Sequence, residues 1–171
     1  NRNRPIVKVV SGIRRCGKST LFRLFKDELL SEGIKPEQII SINFEELEYE
    51  HLREYHALYQ YILNQMQPNQ MNYIFLDEIQ HVDQFHRVVD SLFVKENTDI
   101  YITGSNAYFM SSDIATLLTG RYVEIQMLPL SFAEFYFSKY EEQQYSLIPA
   151  YEAYLRESSF PYTQQLGGED F

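Results

Sequence analysis

Gly12-Ile13-Arg14-Arg15-Cys16-Gly17-Lys18-Ser19, with Thr20 behind it, is the stretch on which the reading of this chain turns. It meets G-x-x-x-x-G-K-[ST] at every fixed position, a pattern that average residue usage would produce in a chain of this length roughly 1% of the time. Its flanks are those the pattern needs. Ile6–Val10 is a short β-branched run that predicts a strand, and Lys18–Leu30 returns an apolar residue every three or four positions, which predicts a helix. A strand, a glycine-bounded loop and a helix in that order point to phosphate binding. Glycines let the backbone curl until successive N–H groups and the positive end of the helix face one anion. Lys18 is expected to bring its charge to the β and γ oxygens, and the Ser19 hydroxyl to take one place on Mg²⁺, a cation that prefers oxygen. The expected nucleotide-binding segment comprises Gly12, Arg14, Arg15, Cys16, Gly17, Lys18, Ser19 and Thr20. Within it the side chains of Arg14 and Arg15 are expected to point outward or pair with acids.

Further along, Tyr73-Ile74-Phe75-Leu76-Asp77-Glu78 is four hydrophobic residues followed by two acids, the pattern of a buried parallel strand that ends beside a ligand crevice. Asp77 is expected to hold Mg²⁺ directly or through water, and Glu78 to orient and deprotonate an attacking water. A third run, Ile100-Tyr101-Ile102-Thr103, opens into Gly104-Ser105-Asn106. Ser105 or Asn106 there suits a polar sensor of the γ-phosphate, and equally an N-cap for the next helix. Asn43 is a weaker candidate for a partner of Glu78. Arg121, after Gly120 and just before the last predicted strand, is a candidate arginine finger, with a salt bridge or helix-terminal cation as the plain alternative.

The remaining pattern extends the same architecture. Ile39–Phe44, Asp99–Thr103 and Tyr122–Met127 predict further strands, and His51–Gln65, Val82–Val94 and Ala107–Leu118 predict helices between them. Alternation of this kind implies an α/β fold: a three-layer α/β/α sandwich around a five-stranded parallel sheet. After Met127 the character changes. Leu128-Pro129-Leu130 breaks the pattern, Ser131 with Glu134 reads as a capping box, and aromatic helices are expected to about Lys139 and over Ala150–Arg156, with a polar linker, Glu141–Ser146, between them. Residues 1–140 are therefore read as the core, and 141–171 as the start of a helical lid or linker.

Charge and composition exclude several classes. Residues 1–36 hold nine Lys and Arg against three acids, whereas the remainder holds six against twenty-one, within a net charge of −9. The basic front suits a nucleotide, and the acidic remainder argues against direct nucleic acid binding by this segment. No apolar run approaches the roughly 18 residues of a membrane helix, so no membrane partner is expected. The lone Cys16 fits a reducing compartment, by default the cytoplasm. An Asn in first place suggests a piece of a longer protein. His51 and His56, like His81 and His86, are five apart, about 140° around a helix, which does not suit one zinc ion.

Together "SGIRRCGKSTL", "INFEEL", "YIFLDEIQ", "ITGSNA", "LLTGRYVEI" and "LPLSFAEF" resemble the AAA+ ATPases of prokaryotes that carry an uncharacterised C-terminal domain, over about residues 6–160. The resemblance implies a P-loop NTPase fold of the AAA+ type with strand order 5-1-4-3-2. It also implies Asp77 and Glu78 as metal-linked and catalytic acids, Asn106 or Ser105 as first sensor, and Arg121 as a finger. The expected activity is Mg²⁺-dependent hydrolysis of ATP to ADP, driving or gating an attached domain or partner. Arg121 would then mark the edge through which a second copy or a partner protein docks. Two rivals remain at this point: a slow nucleotide-held switch, and a P-loop small-molecule kinase, for which the Arg-rich lid is lacking.

Overall fold

Five hydrophobic runs form five strands: β1 (Val7–Gly12), β2 (Ile39–Asn43), β3 (Asn72–Asp77), β4 (Thr98–Ser105) and β5 (Tyr122–Met127). The computed structural model, which describes residues 2–105, 118, 120–140 and 146–157, pairs them all in parallel in the order β2-β3-β4-β1-β5. This is the expected order 5-1-4-3-2 seen from the other edge. Parallel neighbours need crossovers, and helices α1 (Lys18–Ser31), α2 (Tyr55–Gln65) and α3 (Phe85–Phe93) lie in three of them. The predicted helix Ala107–Leu118 falls outside the described residues except for Leu118, which is buried.

Successive side chains of a strand point to opposite faces, and here that parity builds two cores. Val7 and Val9, Ile40 and Ile42, Ile74 and Leu76, and Ile100 and Ile102 join Leu58, Ile62, Val88 and Leu92 from α2 and α3 on one face. Val10, Tyr73, Phe75 and Tyr101 meet Phe22 and Leu29 of α1 on the other. The second core is aromatic: Phe22 meets Phe75 edge-on at 5.2 Å, and Phe75 stacks on Tyr101 at 4.8 Å between centroids. With both faces covered, every residue of β1 and β3 is buried.

Helix starts differ from the sequence pattern for local reasons. The stretch read as beginning at His51 is first a 3₁₀ turn, Leu47–Leu52, and α2 begins only where the Glu54 carboxylate accepts the Ala57 N–H at 2.9 Å. Backbone N–H donors of His56 and Ala57 hold the Glu54 carboxyl below its usual range. Likewise α3 begins at Phe85 rather than Val82, because Glu78 and Gln84 adopt left-handed backbone angles on either side of a 3₁₀ turn at Ile79–His81. In α4 (Phe132–Tyr140) the capping box forms as read, Glu134 accepting from both the Ser131 N–H and its hydroxyl. Helix α5 (Leu147–Glu157) starts earlier than Ala150, since Pro149 lies in a first turn whose N–H groups have no helical partner anyway. It packs on α4 through Phe132, Phe135, Tyr151 and Tyr154. Among the described residues no helix is long and apolar enough to cross a membrane.

One interior feature is ionic. Lys8, 2% exposed on the α1 face, pairs with the Asp99 carboxylate and also donates to the Arg4 carbonyl. Asp99 accepts further bonds from the Tyr101 hydroxyl at 2.9 Å and the Asn3 N–H at 2.8 Å. Removing one partner of such a pair strands the other charge in the core. Asp99→Ala is therefore expected to lose about 3–5 kcal/mol in urea unfolding. The double change Lys8→Met with Asp99→Leu should recover most of it; equal loss in both variants would mean that packing, not the stranded charge, sets the cost.

Candidate functional site

Parallel register brings the C-terminal ends of the strands to one edge. Gly12 pairs with Ser105 on one side and Met127 on the other, and Asp77 pairs with Asn43. At Gly12 a side chain is impossible without displacement: a Cβ would come within 2.6 Å of the Met127 carbonyl oxygen and 2.7 Å of the buried Cys16 sulfur. The loop then turns through left-handed angles at Arg15 (φ 68°) and Gly17 (φ 103°), and α1 starts without any side-chain cap. The first N–H groups of that helix thus gain no cap from a side chain. Arg14 points away and meets Glu45 at 2.8 Å, 81% exposed, while Arg15 and Thr20 are also exposed.

Lys18 folds back over this loop. Its ammonium group, on a side chain 3% exposed, lies 3.3 Å from the carbonyl oxygens of Gly12 and Ile13 and 3.3 Å from Glu78 Oε1. Beside it, Asp77 is 6% exposed and accepts bonds from the hydroxyls of Ser19 and Thr103. Burial pushes the Asp77 carboxyl above its ordinary value, and neighbouring Glu78 adds to the rise; the two hydroxyl bonds and Lys18 oppose it. Glu78 follows in a left-handed conformation (φ 54°) that turns its side chain out of the strand and toward Lys18.

Two residues passed over by the sequence reading join these groups. The Thr103 hydroxyl donates to Asp77 Oδ1 and accepts the Glu78 N–H at 2.9 Å, so one side chain fixes both acids. Strand parity carried the signal: Asp77 falls on the same face as Tyr73 and Phe75, and Thr103 on the same face as Tyr101, which is the face of α1. The second is Gln80, whose amide donates to Glu78 Oε2 at 2.5 Å. That is the position suggested for Asn43, which instead closes a turn by bonding Glu45 N–H and Glu46.

The other candidates are dispersed. Ser105 ends β4 beside Gly12, and Asn106 lies outside the described residues. Arg121 precedes β5 at the opposite end of the sheet; six residues at about 3.3 Å each put it roughly 20 Å from Met127 and the loop. It bonds Asp90 at 3.1 Å and lies over the Phe93 ring, with its side chain 51% exposed.

The arrangement fits a nucleotide phosphate with Mg²⁺. The donors are the curled loop, an uncapped helix start and a buried ammonium; the oxygen ligands are a hydroxyl and a carboxylate already in contact. Among the described residues there is no group of three or more His, Cys, Asp or Glu placed to hold a metal. Mg²⁺ suits the smaller set, since it keeps several waters and completes its shell with phosphate oxygens.

A family model described as an AAA domain matches residues 4–136. The chain is 42% identical over 162 residues to an uncharacterized protein of Haemophilus influenzae, covering 94% of this chain and 40% of that protein. It is 36% identical over 134 residues to an uncharacterized protein of Methanocaldococcus jannaschii, covering 75% and 28%. The chain thus spans well under half the length of these relatives. Among solved structures it is similar to C. elegans PCH-2, with TM-score 0.53, 17% identity and coverage of 80% of this chain and 38% of the other. A DNA polymerase III gamma subunit-related protein from Thermotoga maritima gives TM-score 0.50 at 13% identity, covering 96% and 55%. These two likenesses support the fold.

The double role of Thr103 gives a direct test. Thr103→Val keeps the shape but removes the donor to Asp77 and the acceptor for the Glu78 N–H, and is expected to cost about 1–3 kcal/mol in denaturant unfolding. Thr103→Ser, which keeps the hydroxyl, should lose less than half as much; a loss in Thr103→Ser with none in Thr103→Val would assign the effect to the methyl group.

Proposed function

We propose, for a chain that belongs to the AAA domain family, that the loop site binds ATP with Mg²⁺ and hydrolyses it to ADP, and that the cycle drives or gates the rest of a longer protein or a partner. The observation carrying this reading is the convergence of Lys18, Ser19, Asp77, Glu78 and Thr103 on the glycine-bounded loop at one sheet edge. Residues 141–171, including α5, are read as the beginning of a lid or of a linker to further sequence, and a cytoplasmic setting suits the nucleotide.

Each side chain has a task that follows from its surroundings. The loop N–H groups and Lys18 hold the phosphate oxygens, and Lys18 leaves its carbonyl partners and Glu78 to do so, because a polyphosphate offers it more negative charge. Ser19 and Asp77 hold Mg²⁺, which when bound neutralises charge on the transferred phosphoryl group. Glu78 accepts the proton of the attacking water, and Ser105 or Asn106 contacts the terminal phosphate. A slow nucleotide-held switch is the second reading, favoured by one observation: both Glu78 oxygens are engaged, by Lys18 and by Gln80.

Two variants test the site. Lys18→Ala is expected to weaken ATP binding more than tenfold, about 1.4 kcal/mol, in calorimetric titration. Glu78→Gln should bind ATP as wild type does and release no phosphate. Unchanged affinity in the first would move the nucleotide elsewhere, and wild-type turnover in the second would move the base to another acid.

Arg121 is assigned to a neighbouring copy. At roughly 20 Å from its own loop it has no reach to its own phosphates, and its exposed bond to Asp90 is of a kind worth at most about 1 kcal/mol, easily exchanged on docking. Its finger role predicts complementation. Arg121→Ala and Lys18→Ala chains, each inactive, should recover phosphate release when mixed, since one keeps the loop and the other the finger. A finger contributes about 10³ or more in rate. No recovery, with specific activity flat across dilution, would make Arg121 a partner of Asp90 and nothing more.

A further inference from the structure

Among the described residues, two buried side-chain atoms have no hydrogen-bond partner, and one of them is the carbonyl oxygen of Gln80. The same amide holds the carboxylate proposed as general base, so its two ends are in unequal states. Its Nε2 donates to Glu78 Oε2 at 2.5 Å, and its Oε1 is shut away from water with nothing to accept from. A carboxylate cannot be a donor, so the amide has to present its nitrogen to Glu78 and its oxygen to the empty side.

We propose that Gln80 is a positioning residue that restrains Glu78: it latches the carboxylate away from the attacking water and keeps basal ATP turnover low. The inference rests on the hydrolase reading above. Three features of this segment support it. First, the Glu78 carboxylate is engaged by protein on both oxygens, ion-paired with Lys18 at 3.3 Å through Oε1 and accepting from Gln80 through Oε2, and neither is offered whole to water. Second, the two restraints differ in what releases them. Bound phosphates draw Lys18 away, whereas nothing in a nucleotide draws away Gln80, so ATP alone leaves Glu78 half held. Third, the latch is poorly satisfied. Opening it sacrifices one hydrogen bond to a charged group but returns a buried carbonyl oxygen to water, and these two terms are of the same order. The backbone adds to the balance: Glu78 and Gln84, both non-glycine residues with left-handed angles (φ 54° and 47°), bracket the segment that carries Gln80. Such angles persist only where the surroundings impose them. Ile79 and Val82, both buried, pin that segment to the core, so the motion required is of side chains and not of the strand.

Gln80→Met separates the two ends of the argument, because it keeps length and packing while removing both the donor to Glu78 and the stranded oxygen. The expected result is a kcat for Mg-ATP raised at least threefold, a KM for ATP within twofold of wild type, and a thermal midpoint no lower than wild type. A purely structural role would not raise kcat at constant KM. Glu78→Gln and the double variant Glu78→Gln/Gln80→Met complete the set, and both are expected to release no phosphate. If wild type hydrolyses ATP, Glu78→Gln does not, and Gln80→Met is no faster than wild type, the latch is overturned while the hydrolase reading stands. If Glu78→Gln keeps wild-type turnover, the base is another acid and the latch is overturned while the hydrolase reading stands; if neither wild type nor any variant hydrolyses ATP, both readings fall together. A lowered kcat in Gln80→Met also overturns the latch, since it would mean that Gln80 holds Glu78 in its productive position.

Discussion

A buried ammonium group has to be surrounded by acceptors, and that requirement organises the functional edge of this domain. Burying an unpaired charge is costly enough that a lysine would lose its proton or leave the interior. Lys18 stays in the interior because the loop supplies two carbonyl oxygens and the end of β3 supplies the Glu78 carboxylate. Each acceptor imposes a condition elsewhere. The Gly12 carbonyl is available only because β1 runs between β4 and β5 and stops beside Met127, where no Cβ fits. The carboxylate is within reach only because Glu78 abandons the extended conformation of the strand.

Two adjacent acids at the end of a buried strand would ordinarily repel one another, and the domain separates their surroundings. Asp77 stays in the sheet, buried, where two hydroxyls from different elements, Ser19 of α1 and Thr103 of β4, accommodate its carboxylate. Glu78 turns out toward the loop and takes charged and amide partners instead. Thr103 joins the two arrangements, since its hydroxyl donates a hydrogen bond to one acid and accepts one from the backbone N–H of the other. A change at the end of β4, where Ser105 lies beside Gly12, is thereby connected through a single strand to both acids. That connection suits a site in which the presence of a terminal phosphate has to alter the acids that process it.

Most of this architecture was legible because it depends on periodicities and on residue types with few alternatives. Buried parallel strands have to be short apolar runs, a phosphate loop has to have its glycines, and a carboxylate pair after four apolar residues has few structural uses. What escaped were contacts made by ordinary residues. Thr103 is β-branched and looks like any strand residue, and only counting parity against Tyr101 puts its hydroxyl on the α1 face with Asp77. Gln80 was hidden by the turn at Glu78: in an extended strand a residue two places on shares its neighbour's face but lies about 6.6 Å along it. The left-handed angle at Glu78 is what brings the amide onto the carboxylate. Asn43 drew attention for its place at the end of β2, but a short amide side chain next to free backbone N–H groups closes its own turn first. The late starts of α2 and α3 have the same origin, since a Glu at the N-cap and left-handed residues before a helix do not show in hydrophobic spacing.

The position of Arg121 follows from topology and bears on how such a domain acts. In a parallel sheet the strand entering after a crossover begins at the edge opposite the one where ligands bind, and a residue just before β5 is therefore held away from its own loop. Nothing in the packing of one chain shortens that distance, because β5 lies against β1 over its whole length. A cation at that end serves either the domain's own surface or a neighbour. In the first case its bond to Asp90 and its place over Phe93 are its whole function, and loss of the charge at that surface would matter little. In the second, the same two contacts keep the guanidinium extended and half exposed before a neighbour arrives, which lowers the ordering cost of docking it. On the proposed division of loop and finger between two copies, hydrolysis is conditional on assembly, and an attached domain that moves one copy against the next would thereby control the rate.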